Sequence, residues 1–92
     1  MAKENAFRDL LSIDGFESTA RLNVIRTYTP KTYIKEQLKK AGFIYVGFCW
    51  GDPIYHKDGV FLSFFASCNA YDIQKATSAE DIRYYTVRLE EK

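Results

Sequence analysis

The expected architecture follows from residues 29–68, TPKTYIKEQLKKAGFIYVGFCWGDPIYHKDGVFLSFFASC, in which the period of the apolar residues changes from helical to alternating. The first part predicts a helix, because Thr29 suits the N-cap, Pro30 suits the first helical position and Gly42 suits the residue after the C-cap. Its apolar residues fall on one face and its lysines on a flank. The helix can therefore pack on a sheet and keep its ammonium groups in solvent.

From Phe43 onward, apolar residues alternate with small or polar ones, which predicts strands. Two turn sequences, Gly51-Asp52-Pro53 and Lys57-Asp58-Gly59, divide this segment. We therefore expect a β-meander with strands at residues 43–50, 54–56 and 60–68.

The flanking segments are shorter and less regular. Residues 2–12 have apolar residues at helical spacing and end before Asp14-Gly15, so they predict a short amphipathic helix. Residues 69–78 predict a loop. In residues 82–89, apolar and polar side chains alternate well enough to predict a last strand, rich in Tyr and Val.

Residues 17–28 are ambiguous between helix and strand. Apolar residues recur every four positions, which favours a helix, but Val24, Ile25 and Thr27 are β-branched and suit a strand. We favour the helix. The expected fold is then α+β, with N-terminal helices packed on one face of a four-stranded, mainly antiparallel sheet formed by the β-meander and a C-terminal strand.

The composition indicates a single small domain spanning residues 1–92. Apolar residues make up 47% of the chain and charged residues 27%, which excludes a disordered or collagen-like chain. No apolar run reaches the ~18 residues of a membrane span, and the polar N-terminus lacks the apolar core of a secretion signal. We therefore expect a cytoplasmic protein.

Residue types that commonly perform catalysis or bind metals are few. The one histidine, His56, lies beside a predicted turn, and Cys49 and Cys68 lie in apolar strand segments where thiols are usually buried. There is no glycine-rich phosphate loop. We expect no catalytic residue, no metal and no cofactor. Seven Phe, seven Tyr and one Trp favour a binding protein over an enzyme, because aromatic rings mainly supply contact area.

Basic residues are concentrated in one part of the chain, although the net charge is only +1. Residues 21–40 contain six basic residues and one acidic residue, Glu36, which predicts a basic patch. A solvated helix face is the ordinary alternative. The candidate partner-binding residues are Arg21, Arg26, Lys31, Tyr33, Lys35, Lys39 and Lys40, with Tyr33 as an aromatic anchor.

A second candidate surface is one face of the predicted strand at residues 60–68. Phe61 and Phe65 alternate there with small hydroxyl residues, and aromatic rings on an open sheet face can stack on unpaired bases. The alternative is that the N-terminal helix covers this face.

Three stretches carry a resemblance to a known family: residues 6–11 (AFRDLL), 34–43 (IKEQLKKAGF) and 50–55 (WGDPIY). The chain resembles the small phage-encoded anti-CRISPR proteins, and most of all an inhibitor of the type I-F CRISPR surveillance complex. This resemblance implies a stoichiometric inhibitor that acts in the cytoplasm of a bacterial host. It would bind a multi-subunit ribonucleoprotein of Cas proteins and block pairing of target DNA with the guide RNA, with direct contact to that RNA left open. The near-neutral charge favours steric occlusion over mimicry of DNA.

Two other functions remain open. Residues 22–24 (LNV), 38–42 (LKKAG) and Trp50 also resemble the short strand-helix-hairpin unit of plasmid DNA-processing proteins. This local likeness implies that residues 22–24 form a strand. The alternatives to an inhibitor are a single-stranded nucleic-acid-binding module that uses Phe61 and Phe65, and a small regulator of one host protein.

Overall fold

In the computed structural model, which describes residues 5–91, the chain forms a six-stranded antiparallel sheet and three α-helices. The strands are β1 Phe16–Ser18, β2 Val24–Thr27, β3 Ile44–Cys49, β4 Asp52–Lys57, β5 Val60–Ser67 and β6 Ala70–Lys75. The helices are α1 Asn5–Arg8, which continues into a 3₁₀ turn at Asp9–Ser12, α2 Lys31–Lys40 and α3 Ala79–Glu91. The α+β class is as predicted. Residues 2–4 of the predicted first helix lie outside the described residues.

The strand order across the sheet is β1-β2-β6-β5-β4-β3. Successive hairpins join β3 to β6, and β2 pairs with β6 rather than with its neighbour in the chain, β3. The predicted meander is confirmed in β3, β4 and β5. The two edge strands are β1 and β3, so one side of β3 has no strand partner within residues 5–91.

Helix α2 is confirmed, and its C-terminus ends as the sequence predicts. Gly42 has a φ of +97°, its N–H donates to the Lys39 carbonyl at 3.0 Å, and the Phe43 N–H donates to the Leu38 carbonyl at 2.9 Å. This pattern is the Schellman motif, which needs a residue that tolerates a left-handed backbone. At the other end the N-cap is Pro30, one residue later than predicted, because its ψ of 155° is extended and the helix begins at Lys31. The Thr29 hydroxyl shares a hydrogen bond with the Thr27 hydroxyl at 2.7 Å instead of capping the helix.

The main core lies between the sheet and the layer formed by α1, the 3₁₀ turn and α2. Its fully buried side chains come from α1, the 3₁₀ turn, β2, α2, β5 and β6, and they include Phe7, Leu10, Ile25, Ile34, Leu38, Leu62, Phe64 and Ile73. Burial of this many large apolar side chains is the main stabilising contribution, at about 1.5–3 kcal/mol each.

The helix prediction for residues 17–28 was wrong, because the segment forms β1 and β2. Val24, Ile25 and Thr27 are buried, and Ile25 lies opposite Ile73 on β6. These β-branched side chains pack well on a pleated surface, and tertiary pairing with β6 outweighed the four-residue period.

The C-terminal part of the chain also differs from expectation. Residues 70–75, predicted as loop, form β6, and residues 82–89, predicted as strand, lie within α3. The Ser78 hydroxyl accepts the Asp81 N–H at 3.0 Å, so Ser78 caps the helix and Glu80 and Asp81 fall in its first turn. The sheet therefore has six strands instead of four.

Helices cover both faces of the sheet instead of one. Val46, Cys49, Ile54 and Phe61 form a second buried cluster on the face opposite α2, and Tyr85 and Leu89 of α3 pack against it. The predicted cover of this face by the N-terminal helix is thus replaced by cover from the C-terminal helix. None of the helices within residues 5–91 has the length and apolar character needed to cross a lipid bilayer.

Candidate functional site

A groove runs between α2 and the edge strand β3, on the sheet face that carries the main core. Helix α2 does not reach over this last strand, so Tyr45 is 45% exposed and Phe48 is 63% exposed. Two adjoining concavities, of about 350 and 400 Å³, make up the groove. We call it the α2–β3 groove, and the lining residues that matter below are Lys31, Lys35, Lys39, Tyr45, Phe48 and Tyr55.

One wall of the groove is a row of lysines on the flank of α2. Lys31, Lys35 and Lys39 are exposed and follow one another at every fourth residue, so their Cα atoms are about 6 Å apart along the helix. Of the carboxylates whose positions the structure describes, none forms an ion pair with these lysines. The wall therefore presents a local excess of positive charge.

A β-bulge sets the opposite wall. Tyr45 pairs with Tyr55, but the next pair along β3 is Gly47 with Ile54, so Val46 is the extra residue. The bulge puts Tyr45 and Phe48, three residues apart, on the same sheet face, whereas regular alternation puts them on opposite faces. Two exposed rings thereby stand opposite the lysine row, with Phe48 at the Lys31 end.

The floor of the groove is a rigid aromatic layer. Tyr55 is buried, its ring makes an edge contact with Tyr45 at 5.6 Å between centroids, and it stacks on Phe64 at 6.1 Å. Burial, with a smaller contribution from neighbouring Tyr45, raises the pKa of Tyr55 above its usual value. The floor is thus continuous with the main core and holds the ring of Tyr45 in place.

Trp50 lies at the tip of the β3–β4 hairpin, beside the end of the groove that Gly51 lines. It is 87% exposed, and the two loop residues Trp50 and Gly51 have φ values of +56° and +85°, as a type I′ turn requires. A bulky residue with positive φ costs on the order of 1 kcal/mol, and little packing offsets that cost at so exposed a position. Strain of this kind concentrates at functional positions.

The predicted basic patch is only partly assembled in the fold. Lys31, Lys35 and Lys39 lie together in the groove, whereas Lys40 lines a separate concavity beside the 3₁₀ turn. Tyr33 is half-buried and its hydroxyl donates to the Asp14 carbonyl at 2.8 Å, so it lies on the flank of α2 away from the lysine row.

The two predicted arginines also lie apart from the groove. Arg21 is exposed in the loop between β1 and β2. Arg26 shares a sheet face with its cross-strand partner Asp72 and with Phe65, and this is the face opposite α2. Strand alternation, which the helix prediction for residues 17–28 missed, explains this separation.

The alternative stacking face is not open. Phe61 is only 5% exposed. The centroid of its ring lies 4.5 Å from that of His56 and 6.2 Å from that of Tyr85. Phe65, two residues farther along β5, is half-buried. Helix α3 covers Phe61 through Tyr85, so Phe61 and Phe65 do not form an accessible pair.

The histidine has a structural role in a turn, and the two cysteines differ in exposure. His56 Nε2 accepts the Gly59 N–H at 3.1 Å within the β4–β5 turn. Cys49 is buried as predicted, but Cys68 is exposed because it lies in the β5–β6 turn. Within residues 5–91, no three His, Cys, Asp or Glu side chains are grouped so that they could hold a metal ion.

The pKa of Tyr85 is also perturbed. Burial against the second cluster raises it, and a hydrogen bond with Ser63 partly opposes that shift. Tyr85 anchors α3 to β5, which is a structural role.

Comparisons of the chain with protein-family models, with curated proteins and with solved structures found no significant match.

Proposed function

We propose that the chain is a non-catalytic, stoichiometric inhibitor that docks through the α2–β3 groove on the type I-F guide-RNA surveillance complex and blocks pairing of target DNA with the guide. The observation that carries the proposal is the groove itself, in which three lysines that pair with none of the described carboxylates face exposed aromatic rings on an edge strand. Cations beside exposed rings supply both the charge complementarity and the anchoring contacts of a recognition surface.

The sequence resemblance to anti-CRISPR proteins supplies the identity of the partner. Such a complex presents guide RNA, whose phosphates and exposed bases suit a cationic aromatic groove. The chain carries a net charge of +1, which favours physical obstruction over imitation of a nucleic acid. Its Cα envelope measures 31 × 31 × 25 Å. A body of this width covers about nine base steps of a strand at 3.4 Å per step, enough to interrupt pairing.

The test is inhibition of target binding by the purified complex. We expect that adding the chain at a one-to-one ratio abolishes the gel shift of a labelled target duplex, and that the variant Lys31→Glu/Lys35→Glu/Lys39→Glu needs about 100-fold more protein for the same effect. Full target binding in the presence of excess chain refutes the proposed function.

Two single variants provide a matched comparison on one helix. Lys35→Glu and Lys40→Glu change the net charge equally, but only Lys35 lines the groove. We expect the first to weaken inhibition and the second to leave it unchanged. Equal effects indicate that long-range charge matters and that the groove does not. A pull-down from nuclease-treated host lysate tests the alternative function. If the chain still retains a single host protein, it is instead a regulator of that protein.

A further inference from the structure

We propose that the α2–β3 groove holds an extended single strand of RNA, with its phosphates along the lysine row and its bases against Tyr45, Phe48 and Trp50. The assignment of that strand to an exposed segment of the guide RNA rests on the proposed function. The chemistry of the site rests on the groove alone.

The lysine row has the spacing of a backbone-binding track. Lys31, Lys35 and Lys39 follow one another at about 6 Å along α2, a step comparable to that between successive phosphates of an extended strand. The groove is open along its length, and no described carboxylate neutralises the row. All three ammonium groups can therefore neutralise phosphates of a bound strand and release the cations condensed on it.

The opposite wall provides surfaces for stacking. Tyr45 and Phe48 are exposed on the same sheet face because of the bulge, and the buried Tyr55 fixes the ring of Tyr45 by an edge contact. Trp50 adds a third, highly exposed aromatic residue at the hairpin tip. Aromatic rings beside a cationic track are the usual means of holding single-stranded nucleic acid without sequence readout.

The same features disfavour three other occupants. The β3 edge is available to a peptide strand, but the bulge at Val46 interrupts its register, and strand addition makes no use of the lysine row. A second copy docked symmetrically through the groove brings two lysine rows against each other, and like charges repel. A double-stranded helix hides its base faces and cannot use the rings.

The direct test uses fluorescence anisotropy with a labelled single-stranded RNA of on the order of 12 nucleotides and its duplex, at several salt concentrations. We expect binding to the single strand in preference to the duplex. The slope of log K against log salt is expected to be about −2, since each single-strand phosphate contact contributes about −0.7. Lys31→Gln/Lys35→Gln/Lys39→Gln should bring this slope close to zero.

The aromatic wall is tested by truncation. Phe48→Ala and Trp50→Ala should each weaken RNA binding at least about fivefold, the lower limit for one lost stacking contact. Leu22→Ala removes an equally exposed apolar side chain from the β1–β2 loop and serves as the control with unchanged binding. Absence of RNA binding at low salt, or binding that none of the groove variants changes, overturns the inference.

Inhibition of the surveillance complex, measured in parallel, separates this inference from the proposed function. Inhibition by a chain that binds no free RNA leaves the proposed function standing, refutes the RNA site and assigns the groove to a protein surface. RNA binding through the groove without inhibition has the opposite meaning: the RNA site stands and the proposed function fails.

Discussion

Arg26 and Asp72 face each other from the neighbouring strands β2 and β6, and the guanidinium holds the carboxylate through two hydrogen bonds. Nε donates to Oδ1 at 2.8 Å and Nη2 donates to Oδ2 at 3.1 Å. Asp72 is buried and the guanidinium compensates its charge, while the carboxylate raises the already high pKa of Arg26 further. Arg26 therefore has a partner within the fold, on the sheet face opposite the groove.

The first prediction concerns this ion pair. Asp72→Asn and Arg26→Gln should each lower the urea midpoint of unfolding, because each leaves one member of the pair without its charged partner. The double variant should be no less stable than the worse single variant, since the lost interaction is shared. Strictly additive effects in the double-mutant cycle contradict the pairing. Neither change should affect inhibition or RNA binding through the groove.

The second prediction links stability to binding at Trp50. Trp50→Asn places the residue that type I′ turns favour at a left-handed position, so the free energy of unfolding should rise by about 1 kcal/mol. RNA binding and inhibition should weaken, because the aromatic ring is lost. A stabilised variant with full binding indicates that the strained tryptophan serves no recognition role.

The second hairpin turn offers a matched control for this change. Asp58 and Gly59 also occupy a two-residue loop with positive φ, at +49° and +83°. Asp already suits this turn, so Asp58→Asn should leave the urea midpoint and binding nearly unchanged. A stabilisation equal to that of Trp50→Asn points to a general effect of asparagine instead of relief of strain.

The sequence predicted the elements whose boundaries depend on local chemistry. Helix α2 and its end at Gly42 follow from residue types that suit each backbone position, and the meander follows from two turn sequences. Residues 17–28 were misassigned because their strand character depends on pairing with β6, which lies more than 40 residues later in the chain. Local period alone does not contain that information.

Only part of the lining of the α2–β3 groove is visible in the sequence. The lysine row is visible in the sequence because helical spacing places Lys31, Lys35 and Lys39 on one flank. The aromatic wall is not, since a bulge places Tyr45 and Phe48 on one face against simple alternation. The Ser78 cap with acidic residues after it was a local indication of α3 that the alternation of residues 82–89 obscured.

The third prediction uses the two cysteines, which differ in exposure. Cys68 is exposed in the β5–β6 turn and Cys49 is buried under α3, so Ellman's reagent should modify one thiol per native chain rapidly and both in urea. Cys68→Ser should remove the rapid phase. Leu89→Ala takes away part of the apolar cover over Cys49 and should accelerate its reaction about tenfold, equivalent to a local destabilisation of about 1.4 kcal/mol. Equal native rates for both thiols contradict the position of α3.

The fourth prediction concerns alkaline pH. Burial raises the pKa of Tyr55 and of Tyr85 above the ordinary value of 10.0. Below pH 10 both hydroxyls are protonated in the folded and unfolded chain, and their contribution to stability is complete. Above pH 10 the unfolded chain releases these protons first, so the free energy of unfolding should fall by up to about 1.4 kcal/mol per pH unit for each tyrosine until the raised pKa is passed.

Urea unfolding of the wild type and of Tyr85→Phe between pH 8 and pH 11.5 isolates one of the two groups. At pH 8 the variant should be less stable by about 1 kcal/mol, because it lacks the hydrogen bond with Ser63. The gap should narrow above pH 10, since phenylalanine has no proton to release and the variant loses stability less steeply. A gap that stays constant to pH 11.5 means that the Tyr85 hydroxyl ionises equally in both states, and α3 then does not bury it against β5.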